Sequence, residues 1–194
     1  MMFKRAFVAA ATAAVVFASA GGATAAPVPD FGNGGFEEPI VPADYFKRFT
    51  TGDSIGPWQV TSGAVEVVDN GFWQAAEGQQ SVDLNPPPDV ASPGRVAQTF
   101  TTIPGDPYTV TYSLAGNPDG PPAVKTGQVL IDGEVIQDFR FDVSGKTRRN
   151  MGYEERRVSF VAKNSTTTLS FASTTPNTRY GPVIDNVRVN SCGC

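Results

Sequence analysis

"QVLIDGEVIQDFRF", residues 128–141, carries two alternating runs on either side of Asp132-Gly133. An Asp-Gly pair takes the positive-φ backbone of a two-residue turn at little steric cost, so the stretch reads as a β-hairpin. Val129 and Ile131 then share one face of the outgoing strand, and Phe139 and Phe141 share one face of the returning strand. The same period of two recurs at Val65/Val67, Val82/Leu84, Val96/Phe100, Val110/Tyr112/Leu114, Val158/Phe160 and Leu169/Phe171. Residues 153–175 contain neither Gly nor Pro, yet "RRVSFVA" and "TTTLSFAST" alternate and are rich in β-branched residues, so a second hairpin turning near Asn164 is predicted rather than a helix. "NPPPDVASPG" (85–94) and "GNPDGPPA" (116–123) read as surface loops, because proline cannot donate to a ladder. With about ten to twelve short strands, no heptads, no internal repeat and no βα alternation, the fold class is all-β: an antiparallel β-sandwich of jelly-roll type, with a closed barrel as the competing architecture. Residues 26–190 read as one domain, followed by a short cysteine-containing tail, 191–194.

Residues 1–25 stand apart from this pattern. Lys4 and Arg5 form a basic start, Ala6 to Ala20 is apolar, and Ala23-Thr24-Ala25 is an A-x-A cleavage signal, so the stretch reads as a secretory signal peptide. The apolar run is too short for a comfortable membrane span. The mature chain is expected to begin near Ala26 and to work outside the cytoplasm. Losing two basic and no acidic residues takes the formal net charge from −4 to about −6. An acidic chain argues against nucleic acid, whose binding needs a basic footprint. The chain has 0 histidines, which removes most zinc sites and Ser-His-Asp or Cys-His catalysis. Cys192 and Cys194 flank a single glycine. A bridge between such close neighbours is strained, so free thiols, intermolecular pairing or attachment are expected.

"GPVIDNVRV" (181–189) poses a chemical problem. Unbroken alternation would put Val183, Asp185, Val187 and Val189 on one face, with an acid inside a valine stripe. A buried unpaired carboxylate costs several kcal/mol, so it needs a cation, an arginine or hydrogen-bond donors. "FGNGGFEEP" (31–39) sets flexible glycines beside Glu37 and Glu38. If the first and last strands are neighbours, one of these glutamates, Asp185 and backbone oxygens suit Ca2+, the choice for an all-oxygen donor set. Pairing with an arginine such as Arg157, or a different strand register, are the alternatives.

Four blocks in order, "NGGFEEPIVP", "SGAVEVVDNGFWQAAEGQQSVDLN" (62–85), "QTFTTIPGDPYTVTYSLAGNPDG" (98–120) and the closing "GPVIDNVRV", resemble domain-of-unknown-function family 642 over roughly residues 30–190. That family is represented by plant cell-wall proteins and by bacterial secreted proteins called choice-of-anchor C. The resemblance implies a galactose-binding-like jelly roll, a fold shared with many carbohydrate-binding modules. It also implies a structural Ca2+ between a "GxFE" segment and an acid on the last strand, here Glu37 and Asp185. Bacterial members usually carry a C-terminal sorting segment, whereas this chain stops at "NSCGC".

Carbohydrate recognition needs flat aromatic faces for sugar rings and planar polar groups for hydroxyls. The candidates are Trp73 and Tyr153, each after a glycine-containing turn, with Tyr180, Asn117 and Arg140 in or beside loops. Trp58 in "GPWQV" reads as a plug between sheets, and Asp83 as a solvated or turn-capping acid. Arg148-Arg149 and Arg156-Arg157 read as solvated, or as contacts for an acidic polysaccharide such as pectin. "NST" (164–166) is an N-glycosylation acceptor in a host that glycosylates. Glycoside hydrolysis needs two facing carboxylates, and no pair is marked. No phosphate loop or nucleophile elbow occurs. The expectation is a secreted, non-catalytic module that binds polysaccharide or another cell-wall component. The alternative is a surface or matrix protein whose partner is another extracellular protein, such as a wall-modifying enzyme.

Overall fold

The computed structural model of the protein describes residues 25–85, 93–176 and 178–192. The expected leader, save Ala25, the centre of the proline-rich loop and Cys194 lie outside the described residues. Thirteen strands occur among the described residues: β1 (Ala25–Pro27), β2 (Phe46–Thr50), β3 (Ser54–Ile55), β4 (Trp58–Ser62), β5 (Ala64–Asp69), β6 (Gln80–Asp83), β7 (Arg95–Thr101), β8 (Pro107–Gly116), β9 (Val124–Ile131), β10 (Glu134–Asp142), β11 (Glu154–Val161), β12 (Thr166–Ser173) and β13 (Pro182–Cys192). They form two antiparallel sheets. The first runs β11-β8-β13-β6-β5-β2, with β1 beside β13, and the second runs β10-β9-β12-β7-β4-β3. Two separate sheets make this a sandwich of jelly-roll type rather than a closed barrel. Among the described residues no helix is long and apolar enough to cross a membrane.

The alternation read from the sequence builds the layer between the sheets. Val65, Val67, Val82, Leu84, Val110, Tyr112, Leu114, Val129, Leu169 and Phe171 are all buried. Asp132-Gly133 turns β9 into β10 with φ of 50° and 85° at the two residues, the left-handed geometry that makes this pair a two-residue turn. Trp58 is fully buried, edge-on to Phe31 at 5.7 Å and beside Phe36 and Phe171, and its indole N–H donates to the Asn33 carbonyl at 2.9 Å.

Two expectations change. Residues 153–175 do turn near an exposed Asn164, but β11 and β12 do not pair. β11 joins β8 in the first sheet, while β12 lies between β7 and β9 in the second. Each strand has one apolar stripe, and an arch between sheets buries both stripes in one core, which local alternation does not distinguish from a hairpin. The face assignment of β13 also changes. Ile184 lies opposite Leu114 and Val189 opposite Val110, an odd spacing against an even one, because the register shifts between Asp185 and Arg188. The extra residue is a β-bulge, with Asn186 at φ 50°. Ile184 and Val189 therefore face the core together, and Val183 and Asp185 point to the opposite side of the sheet. The acid is not embedded in the valine stripe.

The bulge also docks the N-terminal segment. The Val187 N–H donates to the Gly34 carbonyl at 2.9 Å, and a Cβ at Gly34 would collide with the Val187 backbone. Held there, Phe36 inserts beside Trp58 with ring centroids 5.2 Å apart. Trp58→Ala is expected to lower the unfolding free energy by about 3–5 kcal/mol, read from urea unfolding. A loss under about 1 kcal/mol would mean that this end of the core collapses around the void.

Candidate functional site

One row of residues crosses the outer face of the first sheet. Arg48 lies opposite Glu66, Glu66 opposite Asp83, Asp83 opposite Val183, and Val183 opposite Ala115. Such a row would face water, but the segment between β5 and β6 folds back over it. Trp73 lies beneath this roof, only 2% exposed, and its indole N–H donates to Ser81 Oγ at 2.9 Å. The Gln74 N–H donates to the Arg148 carbonyl, and the Met151 N–H donates to Gln74 Oε1, which ties the 147–153 segment to the roof. The Ala76 and Glu77 N–H groups donate to Asp185 Oδ2 at 2.7 and 3.0 Å, and the Asn186 N–H donates to Oδ1 at 2.6 Å.

Where the roof stops, a cleft of about 440 Å³ opens over β2 and β5. Phe46, Phe72, Trp73 and Tyr180 supply aromatic walls, and Glu66, Asn117, Asp119, Arg148 and Arg179 supply polar groups. Phe46 and Phe72 meet edge to face at 5.6 Å, and Tyr45, largely exposed, stacks on Phe46 at 4.8 Å. Arg148 lies over the Phe72 ring at 4.0 Å and grips both Asp119 oxygens, 2.9 Å from Nε to Oδ1, 3.0 Å from Nε to Oδ2 and 2.7 Å from Nη2 to Oδ2. Tyr180 lies against Gly120, where no side chain would fit, with the Lys125 ammonium 5.7 Å from its ring centre.

The polar wall is anchored from behind by Asp83, which is fully buried. Its Oδ2 accepts from Asn117 Nδ2 at 2.8 Å, and its Oδ1 accepts from the Asn85 N–H at 2.8 Å. Asn117 Oδ1 in turn accepts from the Asp119 N–H at 3.0 Å. A continuous chain thus runs from Asp83 through Asn117 and Asp119 to Arg148. Burial pushes the Asp83 carboxyl up to about 8, against the pull of the Asn117 and Asn85 hydrogen bonds. Burial pushes Lys125 down to about 8, against the attraction of Asp83 and Asp119. Lys125 Nζ donates to the Gly120 carbonyl at 2.7 Å and so holds the loop under Tyr180.

Of the residues picked out in the sequence, Tyr180 and Asn117 stand in this cleft. Trp73 lines it from below but is buried rather than proud of the surface. Tyr153 is half-buried beneath the roof, its ring against the core and its hydroxyl enclosed. Arg140 is exposed on β10, the edge strand of the other sheet, and is not part of the cleft. Asp83 caps its turn as expected but is sealed from solvent, because its sheet face is covered. Phe46, Glu66 and Arg148 complete the cleft, although nothing in the sequence marks them as ligand contacts beyond the basic character of Arg148. Phe46 sits at the start of a strand, and the Arg148-Arg149 pair looks like an ordinary solvated one. Their placement depends on β2 flanking β5 and on the 147–153 segment reaching the roof, pairings distant in sequence.

Glu37 and Asp185 do converge on one loop, from opposite ends of the chain. Glu37 Oε1 accepts from the Gln79 and Gln80 N–H groups at 2.8 and 3.0 Å. Both acids are thus met by N–H donors. Among the described residues no group of three or more His, Cys, Asp or Glu is placed to hold a metal ion. The two acids thus clasp this loop from both sides. Burial still pushes Asp185 up to about 7, with the Glu77 charge adding to the rise and the three N–H bonds opposing it.

Residues 30–190 match the family described as protein of unknown function, DUF642, and the chain belongs to that family. No curated protein matches it in sequence. Among solved structures, it is similar to a family 35 carbohydrate-binding module from Clostridium thermocellum, at 13% identity and TM-score 0.45, covering 74% of this chain and 96% of that one. A CBM61 module in complex with β-1,4-galactotriose is similar at 20% identity and TM-score 0.49, over 82% and 95% of the two chains. The CBM35 of Paenibacillus barcinonensis is similar at 14% identity and TM-score 0.45, over 74% and 97%.

Asp83 and Asp185 set the pH dependence of stability. An acid with a higher pKa in the folded chain keeps a proton that the unfolded chain has released, so stability falls as pH rises from about 4 to about 8. Lys125, lowered by burial, acts oppositely above that window. Urea midpoints should therefore be higher at pH 5 than at pH 8, and Asp83→Asn should flatten this difference. An unchanged slope in the variant would place the titration elsewhere. Glu37 and Asp185 as Ca2+ ligands are tested by melting: with no ion bound, adding Ca2+ or a chelator leaves the melting temperature unchanged. A saturable rise with Ca2+ would instead show an ion bound to the native state.

Proposed function

We propose that this DUF642 member is a secreted, non-catalytic module that binds polysaccharide, in a cell wall or similar matrix, through the cleft over β2 and β5. The observation that carries this reading is the pairing of aromatic walls with braced polar groups in one open depression. Sugar rings present apolar C–H faces to aromatic planes and a rim of hydroxyls to planar polar groups. Phe46 and Tyr180 offer the planes, while Asn117, Asp119 and Arg148 offer donors and acceptors whose positions are locked before any ligand arrives. Such preorganisation lowers the entropic cost of binding. The basic start, apolar run and A-x-A signal at residues 4–25 support export.

The acids near the cleft support binding without turnover. Glycosidases place two carboxyl groups on either side of the scissile bond, one of them with a raised pKa. Here Asp119 is gripped by Arg148, and Glu66 lies 3.4 Å from the Arg48 guanidinium. Asp83, the nearby acid with a raised pKa, is sealed behind Asn117.

Tyr180→Ala and Phe46→Ala are each expected to weaken glycan binding about tenfold or more while leaving the melting temperature within a few degrees of the parent. Glycan arrays followed by calorimetry on the retained polymers read this, and no reducing ends should appear on prolonged incubation. Retention on no glycan, together with capture of one specific extracellular protein, would replace this reading with the protein-partner one.

A further inference from the structure

The charges around the cleft are unevenly satisfied. The chain as a whole is acidic, with a formal net charge of −4. Inside the cleft, however, each acid already has a basic partner, Asp119 with Arg148 at 2.7 Å and Glu66 with Arg48 at 3.4 Å. Arg179 also lines the cleft, is exposed, and makes no ion pair or hydrogen bond among the described residues. It directly precedes Tyr180, whose ring is fixed against Gly120 and backed by the Lys125 ammonium. The charges lining the cleft balance, Glu66 and Asp119 against Arg148 and Arg179, and Arg179 stands beside an aromatic plane with no partner among the described residues.

Resting on the polysaccharide reading above, we infer that the ligand is a carboxylated glycan, with the Arg179 guanidinium receiving the carboxylate of a uronic acid unit whose ring lies against Tyr180. The planar fork of a guanidinium matches a carboxylate through two parallel N–H donations, stronger than hydrogen bonds between neutral groups. The two arginines already engaged by Glu66 and Asp119 cannot make that pair without giving up their partners. A neutral glycan would use the aromatic plane and leave Arg179 to water. Attraction of an anionic polymer to this opening is also screened by salt, which gives the inference a second readout.

The test compares polygalacturonate with the same polymer fully methyl-esterified, which keeps backbone and ring but masks the charge. Calorimetry with the purified protein should give at least about tenfold tighter binding to the acid form, one charge-assisted pair. That preference should shrink as NaCl rises. Arg179→Gln should bring binding of the acid form down to that of the ester measured in the same variant. Arg179→Lys, which keeps the charge and loses the fork, should restore part of the preference. A glucuronate-bearing xylan against the same xylan stripped of its acid groups repeats the comparison on a second backbone. Equal binding of acid and neutral polymers, or a preference that survives Arg179→Gln, overturns the inference and leaves the polysaccharide reading standing. Binding to neither form of either backbone overturns the inference, and loss of binding to every glycan on the array overturns the polysaccharide reading with it.

Discussion

Three backbone N–H groups converge on the Asp185 carboxylate, and much of the outer architecture depends on them. The acid sits on the outer face of the first sheet, at a bulge that interrupts regular pairing with β8. By accepting from Ala76 and Glu77 it holds the β5–β6 segment down as a roof. That roof buries Trp73, encloses Tyr153 and defines where the cleft begins. Its other edge is held by Glu37, which accepts from Gln79 and Gln80. Both ends of the chain thus grip one loop, and the loop shapes the cleft. A carboxylate that looks misplaced in a strand is the anchor of the polar layer that the roof covers.

The sheet face beneath that roof departs from the ordinary division of apolar inside and polar outside. Asp83 is buried there with no ion pair among the described residues, satisfied by Asn117 and Asn85, and burial pushes its carboxyl up to about 8. A neutral buried acid costs far less than an ionised one. The cost that remains is offset by a rigid chain of hydrogen bonds ending at Arg148. Stability and the geometry of the cleft are therefore coupled through one residue sealed behind its wall.

The apolar alternation of β5, β6, β8, β9, β10, β12 and the Asp132-Gly133 turn was legible in the sequence, because each is set by neighbours within a few positions. Trp58 as an inter-sheet plug was legible for the same reason. The partner sheet of β12 was not, since a stripe of buried residues says which face is covered but not by what. Asn186 at positive φ inverted the reading of β13, and nothing in "VIDNV" marks the bulge apart from an asparagine tolerant of that backbone. For the cleft, Tyr180 and Asn117 were visible as loop residues between strands. Phe46, Glu66 and Arg148 were not, because their meeting depends on a row across β2, β5 and β6 and on a loop closing over it. Glycine-led turns suggested exposure for Trp73 and Tyr153. The turns are real, but the chain they redirect folds inward.

The pairing of β1 with β13 sets how the module meets mechanical load. Ala25 lies opposite Cys192, so the two ends leave the domain side by side from the end of β13 remote from Tyr180. Tension drawn through both ends would open that ladder one bond pair at a time, as a zipper, rather than shear all the bonds at once. β1, only three residues long, would peel first. The load would reach Asp185 and the cleft only after that short strand had been spent as slack.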